Sequence, residues 1–597
     1  MPYERHLTTM SHFHQCAQCL DEYRDANDRR YFSQTNSCAS CGVHLSLHSR
    51  LNGDVVTDNK TMLASLLLAF ASGETIAVKG IGGFLLMCDA SNKNAIDTLR
   101  KRKHRPRKPF AVLFPDAQQV KTCAYANAAA LKMLQGETSP IVLLQAKQKC
   151  FEELDMHGIA PGLSTIGVML PYAPLLEWII TKWQKPLVAT SGNLSGSSIV
   201  FQSAKKDELF QFADHILDHD RDILVPQDDS VVRFAERSGQ QIMLRRSRGL
   251  APAMILQSAK TKTGETIFAA GAMLKSAFAI QDNNQIYLSQ FLGNLDSYDT
   301  QENYRHTFEH FQQLLKARPE IILADLHPDY PSTRFAEEYA ERWKAPLKRI
   351  QHHEAHFAAI LGEHNLFPNR DKILGVIWDG TGLGTDGNIW GGEFFIYENG
   401  TMRRAYHLES FPNVAGDKMA NEPRLAASAI FNGVEAADTI LSEKFSKQES
   451  EYYAKVIGHE HLRNTSAGRY FDAVASVLGL VDINSYEGEA ALMLEQSAYN
   501  YFCNDQLMNA HYFTDEISSP SIPMKNVKQR IIEDIVAGRN IGEISAAFHN
   551  TLAMIISKVA IKERVRKVAF SGGVFQNALL VDLVNLQLSK SFELYFH

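Results

Sequence analysis

The sequence has no apolar run long enough to cross a bilayer. Its longest, over residues 63–71, falls far short of the roughly 20 residues a span needs. It opens Met1-Pro2-Tyr3-Glu4-Arg5-His6, with no apolar signal core. It also lacks an excess of positive charge: Lys+Arg 61 against Asp+Glu 67 leaves −6. No global field therefore draws it to nucleic acid or to an anionic membrane, and neither is expected as a partner. Cysteine is scarce and uneven, eight in all with four in the first 41 residues. A secreted disulfide framework is excluded, and a reducing, cytoplasmic compartment is expected. No Gly-Lys-Ser/Thr occurs, which excludes a P-loop mechanism, and there is neither a repeat of fixed period nor a low-complexity tract. What remains is 597 residues, 45% hydrophobic and 21% charged, an ordinary globular composition. That length predicts two to four domains.

The chain divides into three zones. Residues 1–50 are polar and rich in Cys and His, too poor in apolar side chains to build a core unaided. Residues 57–258 alternate short β-like runs (Thr75-Ile76-Ala77-Val78, Phe110-Ala111-Val112-Leu113-Phe114, Pro140-Ile141-Val142-Leu143-Leu144) with helical stretches, which predicts an α/β or α+β domain. A polar linker is read at residues 257–264, and residues 265–597 form a third region of strand-like segments and long amphipathic helices.

In the first zone, Cys16-Ala17-Gln18-Cys19 and Cys38-Ala39-Ser40-Cys41 make two CxxC knuckles. Each turns back so that two thiolates face one point, and together they predict a tetrahedral structural Zn²⁺ site. Four thiolates leave no open position for chemistry, so the module stabilises rather than catalyses. Cys88, Cys123, Cys150 and Cys503 read as core thiols.

In the second zone, Arg100-Lys101-Arg102-Lys103-His104-Arg105-Pro106-Arg107-Lys108-Pro109 is a dense basic run whose prolines break a helix and bend the chain. Thr190-Ser191-Gly192-Asn193-Leu194-Ser195-Gly196 succeeds an apolar strand with small hydroxyl and glycine residues, donors suited to phosphate. Arg245-Arg246-Ser247-Arg248-Gly249 is a third cluster. Composition alone leaves a phosphate site and a basic surface equally open.

In the third zone, Gln351-His352-His353-Glu354-Ala355-His356 puts His352 and His356 at i,i+4, one face of a helix at chelating distance, although such a pair is also a common surface feature. Leu374-Gly375-Val376-Ile377-Trp378-Asp379 is a buried-strand run ending in a carboxylate and a glycine-rich turn, Gly380-Thr381-Gly382-Leu383-Gly384-Thr385-Asp386-Gly387. Gly382 to Gly387 is formally GxGxxG, but the next residues, Asn388-Ile389-Trp390, read as strand and not as the helix a Rossmann fingerprint must open. Strand, glycine turn and strand is instead the phosphate hairpin of the actin-like ATPase fold. Val568-Ala569-Phe570-Ser571-Gly572-Gly573-Val574-Phe575-Gln576-Asn577 reads as strand, glycine turn and helix start, suited to a nucleotide.

Lys103 to Pro109 resembles the K-x-R-P-x-x-K-P segment of YrdC-like domains, one residue shorter before the Lys-Pro pair. Thr190 to Gly196 is similar to their T-S-x-N-x-S-G. His352 to His356, Asp379 to Gly382, Tyr486-Glu487-Gly488-Glu489-Ala490-Ala491 and Ser571 to Asn577 resemble the carbamoyl-transfer domain shared with TsaD-type tRNA-modifying enzymes. With the finger in front, the whole chain resembles the HypF family, the carbamoyltransferases of NiFe-hydrogenase maturation. The resemblance implies an α/β (α+β) multidomain fold: zinc-finger module, YrdC-like domain and actin-like (TsaD/Kae-like) domain. It implies ATP-dependent formation of carbamoyl adenylate from carbamoyl phosphate, through carbamate, and transfer to the C-terminal Cys of HypE for cyanide-ligand synthesis.

On this resemblance Lys103, Arg105 and Asp379 are the catalytic residues. Lys103, Arg105, Ser191, Asn193, Gly380, Gly382, Gly572, Gly573 and Asn577 contact nucleotide. Cys16, Cys19, Cys38 and Cys41 hold structural Zn²⁺, while His352, His356 and Asp379 hold a divalent Fe or Zn, with ATP as its Mg²⁺ complex. Relative to the family pattern the chain starts after an acylphosphatase domain and a first finger, and stops before a P-P-N-D-G-G-like segment. It is therefore expected to be truncated at both ends. The alternatives are an impaired fragment that keeps HypE binding, and a threonylcarbamoyl-type transferase acting on tRNA.

Overall fold

The computed structural model describes residues 4–597 apart from 52, 195, 257–264, 284, 369–370 and 503–509. Ser195, the linker at residues 257–264, Cys503 and the first three residues thus lie outside the described residues.

The finger is built on turns. Cys16 precedes the helix Ala17–Arg24, which carries Cys19. At the second knuckle the backbone N–H groups of Cys41 and Gly42 both donate to the Cys38 carbonyl, at 3.2 and 2.8 Å. A Cβ at Gly42 would stand 2.7 Å from that oxygen, so the knuckle closes only on glycine. The strand Leu45–Ser49 then pairs antiparallel with His215–His219 and stitches the finger to the edge of the middle sheet.

The middle region is a mixed twelve-stranded sheet with helices on both faces, as the alternation of runs predicts. All of Ile76–Lys79 is buried. Ile76 and Val78 face Met62, Leu66 and Phe70 of the helix Asn59–Ala71 and Ile179 and Ile180 of Pro174–Trp183. Ala77 faces the other core, with Ile96 and Leu99 of Lys93–Arg102. Cys88, Cys123 and Cys150 are buried, as expected of core thiols.

The third region is a topological duplication that the sequence, without a periodic repeat, does not reveal. In the first lobe Ile267–Ala269, Ala279–Asp282 and Gln285–Leu288 form an antiparallel meander, and Ile321–Asp325 and Leu347–Ile350 add in parallel beside its first strand. In the second, Ile373–Leu383, Ile389–Glu398 and Thr401–Leu408 form the meander, and Lys567–Ser571 and Glu593–Tyr595 add in parallel. This is the actin-like plan. Ala253–Leu256, within the stretch read as the middle domain, pairs with Gln285–Leu288 and so belongs to the first lobe's sheet.

Among the described residues one helix, Ile541–Lys562, is long and apolar enough to cross a membrane by length and composition, but 78% of its apolar window is buried inside the fold. It is a core helix, packed through Ile544, Phe548, Leu552 and Ile556.

Candidate active site

At the finger, Cys16 Sγ and Cys38 Sγ lie 3.7 Å apart, as do Cys38 Sγ and Cys41 Sγ, and all four sulfurs fall within 4.8 Å of one another. A tetrahedron of Zn–S bonds of about 2.3 Å has edges of about 3.8 Å, so the donor set fits Zn²⁺. Backbone N–H groups of Ser40 and Cys41 pull the Cys38 thiol down to about 6, towards the thiolate a metal requires.

In the middle region the structure brings Lys103, Arg105, Ser191 and Asn193 together. Lys103 lies just beyond the helix Lys93–Arg102, and its ammonium donates to the carbonyls of Ser191 and Asn193 at 2.6 and 2.5 Å. With 1% of it exposed, Lys103 orders the turn. Arg105 donates to Thr190 Oγ1 at 3.0 Å, and Ser191 Oγ to Asn193 Oδ1 at 2.7 Å. Arg100, by contrast, is spent on the loop itself, donating to the carbonyls of Arg105, Lys108, Gly158 and Ile159. The cation the site reading missed is Lys108. Although its side chain is accessible, the surrounding recess desolvates it, and with Arg105 and Arg245 beside it the ammonium is lowered to about 8. A recess that depresses its own cations favours a bound anion.

The second site lies at the carboxyl ends of the parallel strands, where the two lobes meet. The strand Leu347–Ile350 ends at Gln351, whose side chain caps the helix His352–Glu363. This helix carries His352 and His356 on one face, as the spacing predicts. His352 Nε2 and His356 Nε2 stand 3.3 and 3.5 Å from Asp379 Oδ2. The three ligand atoms fit one cation: imidazole and carboxylate bonds of about 2.1 Å put neighbouring donors about 3.0–3.4 Å apart.

Asp325, which ends the strand Ile321–Asp325, accepts from His352 Nδ1 at 2.8 Å. That bond fixes the tautomer with Nε2 turned to the cluster. His356 Nδ1 bonds Ser571 Oγ at 3.0 Å, and the same hydroxyl bonds His597 Nε2 at 2.8 Å. Burial works against a charged His352, yet Asp325 and Asp379 hold it up at about 10, so the cluster attracts positive charge. Asp325 stands in the stretch Asp325-Leu326-His327-Pro328, but no spacing rule ties it to a histidine 27 residues on.

The glycines divide. Gly380 faces the cleft, where a Cβ would meet only Arg469 Nη2, at 3.8 Å. Gly382, expected at the nucleotide, is needed for packing: a Cβ there would stand 2.5 Å from the buried ring of His353. Gly572 has φ +104° and would strike the Trp378 carbonyl at 2.2 Å. Only glycine makes that turn, which lays Gly573 beside Asp379 Oδ1. Asn577, also expected at the nucleotide, instead caps the helix Ala578–Leu588 through Oδ1 and bonds His549 through Nδ2. The strand–turn–strand geometry over Ile373–Leu383 and Ile389–Glu398 excludes the Rossmann reading.

The middle and third regions pack against each other beside the basic run. Arg107, from the basic run, pairs with Glu489 of the third region. Ser164 donates through N and Oγ to Gln496 Oε1 at 3.0 and 2.8 Å, and Arg233 pairs with Glu495 at 2.9 Å.

Family patterns match the chain in the same order: HypF finger over residues 16–48, the Sua5/YciO/YrdC pattern described as telomere recombination over 69–247, HypF Kae1-like domain over 262–363, and the second subdomain of the carbamoyltransferase Kae1-like domain over 375–597. Fold, clusters and patterns together define a mixed α/β multidomain carbamoyltransferase. Carbamoyltransferase HypF of Synechocystis sp. is 35% identical over 99% of this chain and 77% of its own length. The crystal structure of T. kodakarensis HypF superposes with a TM-score of 0.90 at 32% identity, covering 100% of this chain and 78% of that one. A full-length HypF in the phosphate- and nucleotide-bound form gives 0.89 at 32%, over 100% and 77%. The chain belongs to the HypF carbamoyltransferase family.

Proposed function

We propose that the chain makes carbamoyl adenylate from ATP and carbamate, the latter derived from carbamoyl phosphate, in the middle recess. The third region then transfers the carbamoyl group to the C-terminal Cys of HypE. The observation that carries this is the Arg107–Glu489 pair: a residue of the basic run is held by the Tyr486-to-Ala491 motif of the transfer region. That contact holds the basic run beside the transfer region, which supports a short path for a labile adenylate.

In the first step carbamate oxygen attacks the α-phosphorus of ATP and pyrophosphate leaves. Arg105 and Lys108 face the charge that grows on the leaving group, and the Ser191/Asn193 turn, ordered by Lys103, positions the nucleotide. In the second step Gly380 and Gly573 leave room for the adenylate beside Asp379. A divalent Fe or Zn held by His352, His356 and Asp379 would act as a Lewis acid on the carbonyl. Asp325 and Ser571 orient the two imidazoles. ATP enters as its Mg²⁺ complex. The finger positions the edge of the middle sheet through Leu45–Ser49 and takes no part in the chemistry. A site that depends on four thiolates suits a reducing compartment, the cytoplasm.

Intact-mass spectrometry of HypE after incubation with the chain, ATP and carbamate tests this. HypE should gain the mass of one carbamoyl group, and HypE lacking its C-terminal Cys should gain none. HypE that binds but stays unmodified, while adenylate forms, would reduce the chain to the impaired-fragment alternative.

A further inference from the structure

The transfer cleft holds a cation to which no role has been given. The helix Ala467–Val477 begins against the glycine hairpin: Ser466 Oγ donates to the Asp379 carbonyl at 2.8 Å, and a Cβ on Gly468 would stand 3.0 Å from Gly380 Cα. This contact aims Arg469 along the hairpin, with Nη2 3.8 Å from where Gly380 would carry a Cβ. Arg469 pairs with Asp472 at 2.9 Å, yet its buried Nε–H meets no acceptor, and only 14% of the side chain is exposed. A buried guanidinium donor without an acceptor is costly and needs a reason. Burial pushes the Asp472 carboxyl up to about 6 in spite of Arg469, so this carboxylate is a weak counter-charge. Asp379 and its two histidines stand at one end of the same hairpin, and Gly573 lies 3.2 Å from Asp379 Oδ1 when given a Cβ.

We propose that Arg469 binds the phosphate of the carbamoyl adenylate in the transfer site and takes up the charge released when AMP leaves. This rests on the transfer reading above. The acceptor thiol has already lost its proton to solvent. Its sulfur forms the C–S bond, the bond from the carbonyl carbon to the phosphate oxygen breaks, and that electron pair departs with the oxygen as AMP. The phosphate therefore gains one negative charge in the step, at the position Arg469 faces.

Equilibrium titration of the full chain with AMP and with adenosine tests the proposal, in an Arg105→Ala background that weakens the middle recess as an anion site. Arg469→Met should lower AMP affinity roughly 10- to 100-fold and leave adenosine affinity unchanged. Arg469→Lys should fall between, and Asp472→Asn, which removes the competing carboxylate, should not lower AMP affinity. Unchanged AMP affinity in both Arg469 variants would overturn the proposal. So would an AMP loss in Asp472→Asn equal to that in Arg469→Lys, which would make the two residues an internal strut. If Arg469→Met does not fold, the Lys and Asn variants decide. Failure of HypE carbamoylation with AMP still bound through Arg469 would refute the transfer reading and leave Arg469 as a phosphate residue.

Discussion

At the scale of single residues, charge that is close in space governs the chemistry, and only part of it is close in sequence. The i,i+4 spacing of His352 and His356 makes their shared face readable from periodicity alone. Asp325 completes the same cluster from a different strand, and no spacing rule ties it to His352. The basic run shows the opposite failure: it is legible as a concentration of cations but not as a division of labour. Lys103 is turned onto backbone carbonyls, Arg100 is spent on the loop, and Lys108 is left at the recess. That division sets a pH dependence. Because its desolvated recess lowers Lys108 to about 8, the ammonium is present below that pH and lost above it. Apparent affinity for ATP should therefore fall as pH rises past about 8. In Lys108→Arg the charge persists to high pH and that limb of the profile should flatten. A limb of equal steepness in the variant would assign the titration to another group.

At the scale of elements, the glycine turns and cysteine knuckles are readable because each carries a local geometric demand. CxxC must fold back to chelate, and the segment around Asp379 has to be strand–turn–strand once a strand succeeds it. Gly382 and Asn577 show the reverse. Their positions in a motif suggest a ligand, but a Cβ at Gly382 would collide with His353, and Asn577 serves its own helix. These are tertiary contacts with no local sequence signal. The finger makes an independent prediction. Its apolar content is small, with Met10, Cys19 and Leu47 the buried hydrophobic residues among those described, so metal binding is expected to supply most of its folding free energy. Cys38→Ser should lower bound Zn²⁺ from one equivalent to near zero. It should also expose the amides of Leu45–Ser49, whose pairing with His215–His219 depends on the finger's register. Hydrogen exchange across those strands, with metal content measured in parallel, checks both. Full protection in a zinc-free variant would show that the sheet edge holds the finger unaided.

At the scale of the whole molecule, two chemistries are assigned to two recesses and joined by the packing between them. The order of the regions is legible because each carries its own motif. The duplication of the two lobes is not, because the repeat lies in strand order and direction while the sequences of the lobes differ. Nor is the packing of the two regions against each other, which depends on contacts such as Arg107 with Glu489 and Arg233 with Glu495, pairs 382 and 262 residues apart in the chain. Separation of function is the claim most open to a single measurement, carbamate-dependent ATP–pyrophosphate exchange by the full chain. Arg105→Ala and Lys103→Ala should each lose at least about 10²-fold of exchange, because the leaving pyrophosphate loses its counter-charge or its ordered turn. His352→Ala, in the other recess, should exchange at nearly the unaltered rate. Exchange that survives in both Arg105→Ala and Lys103→Ala, or that disappears in His352→Ala, would contradict the separation.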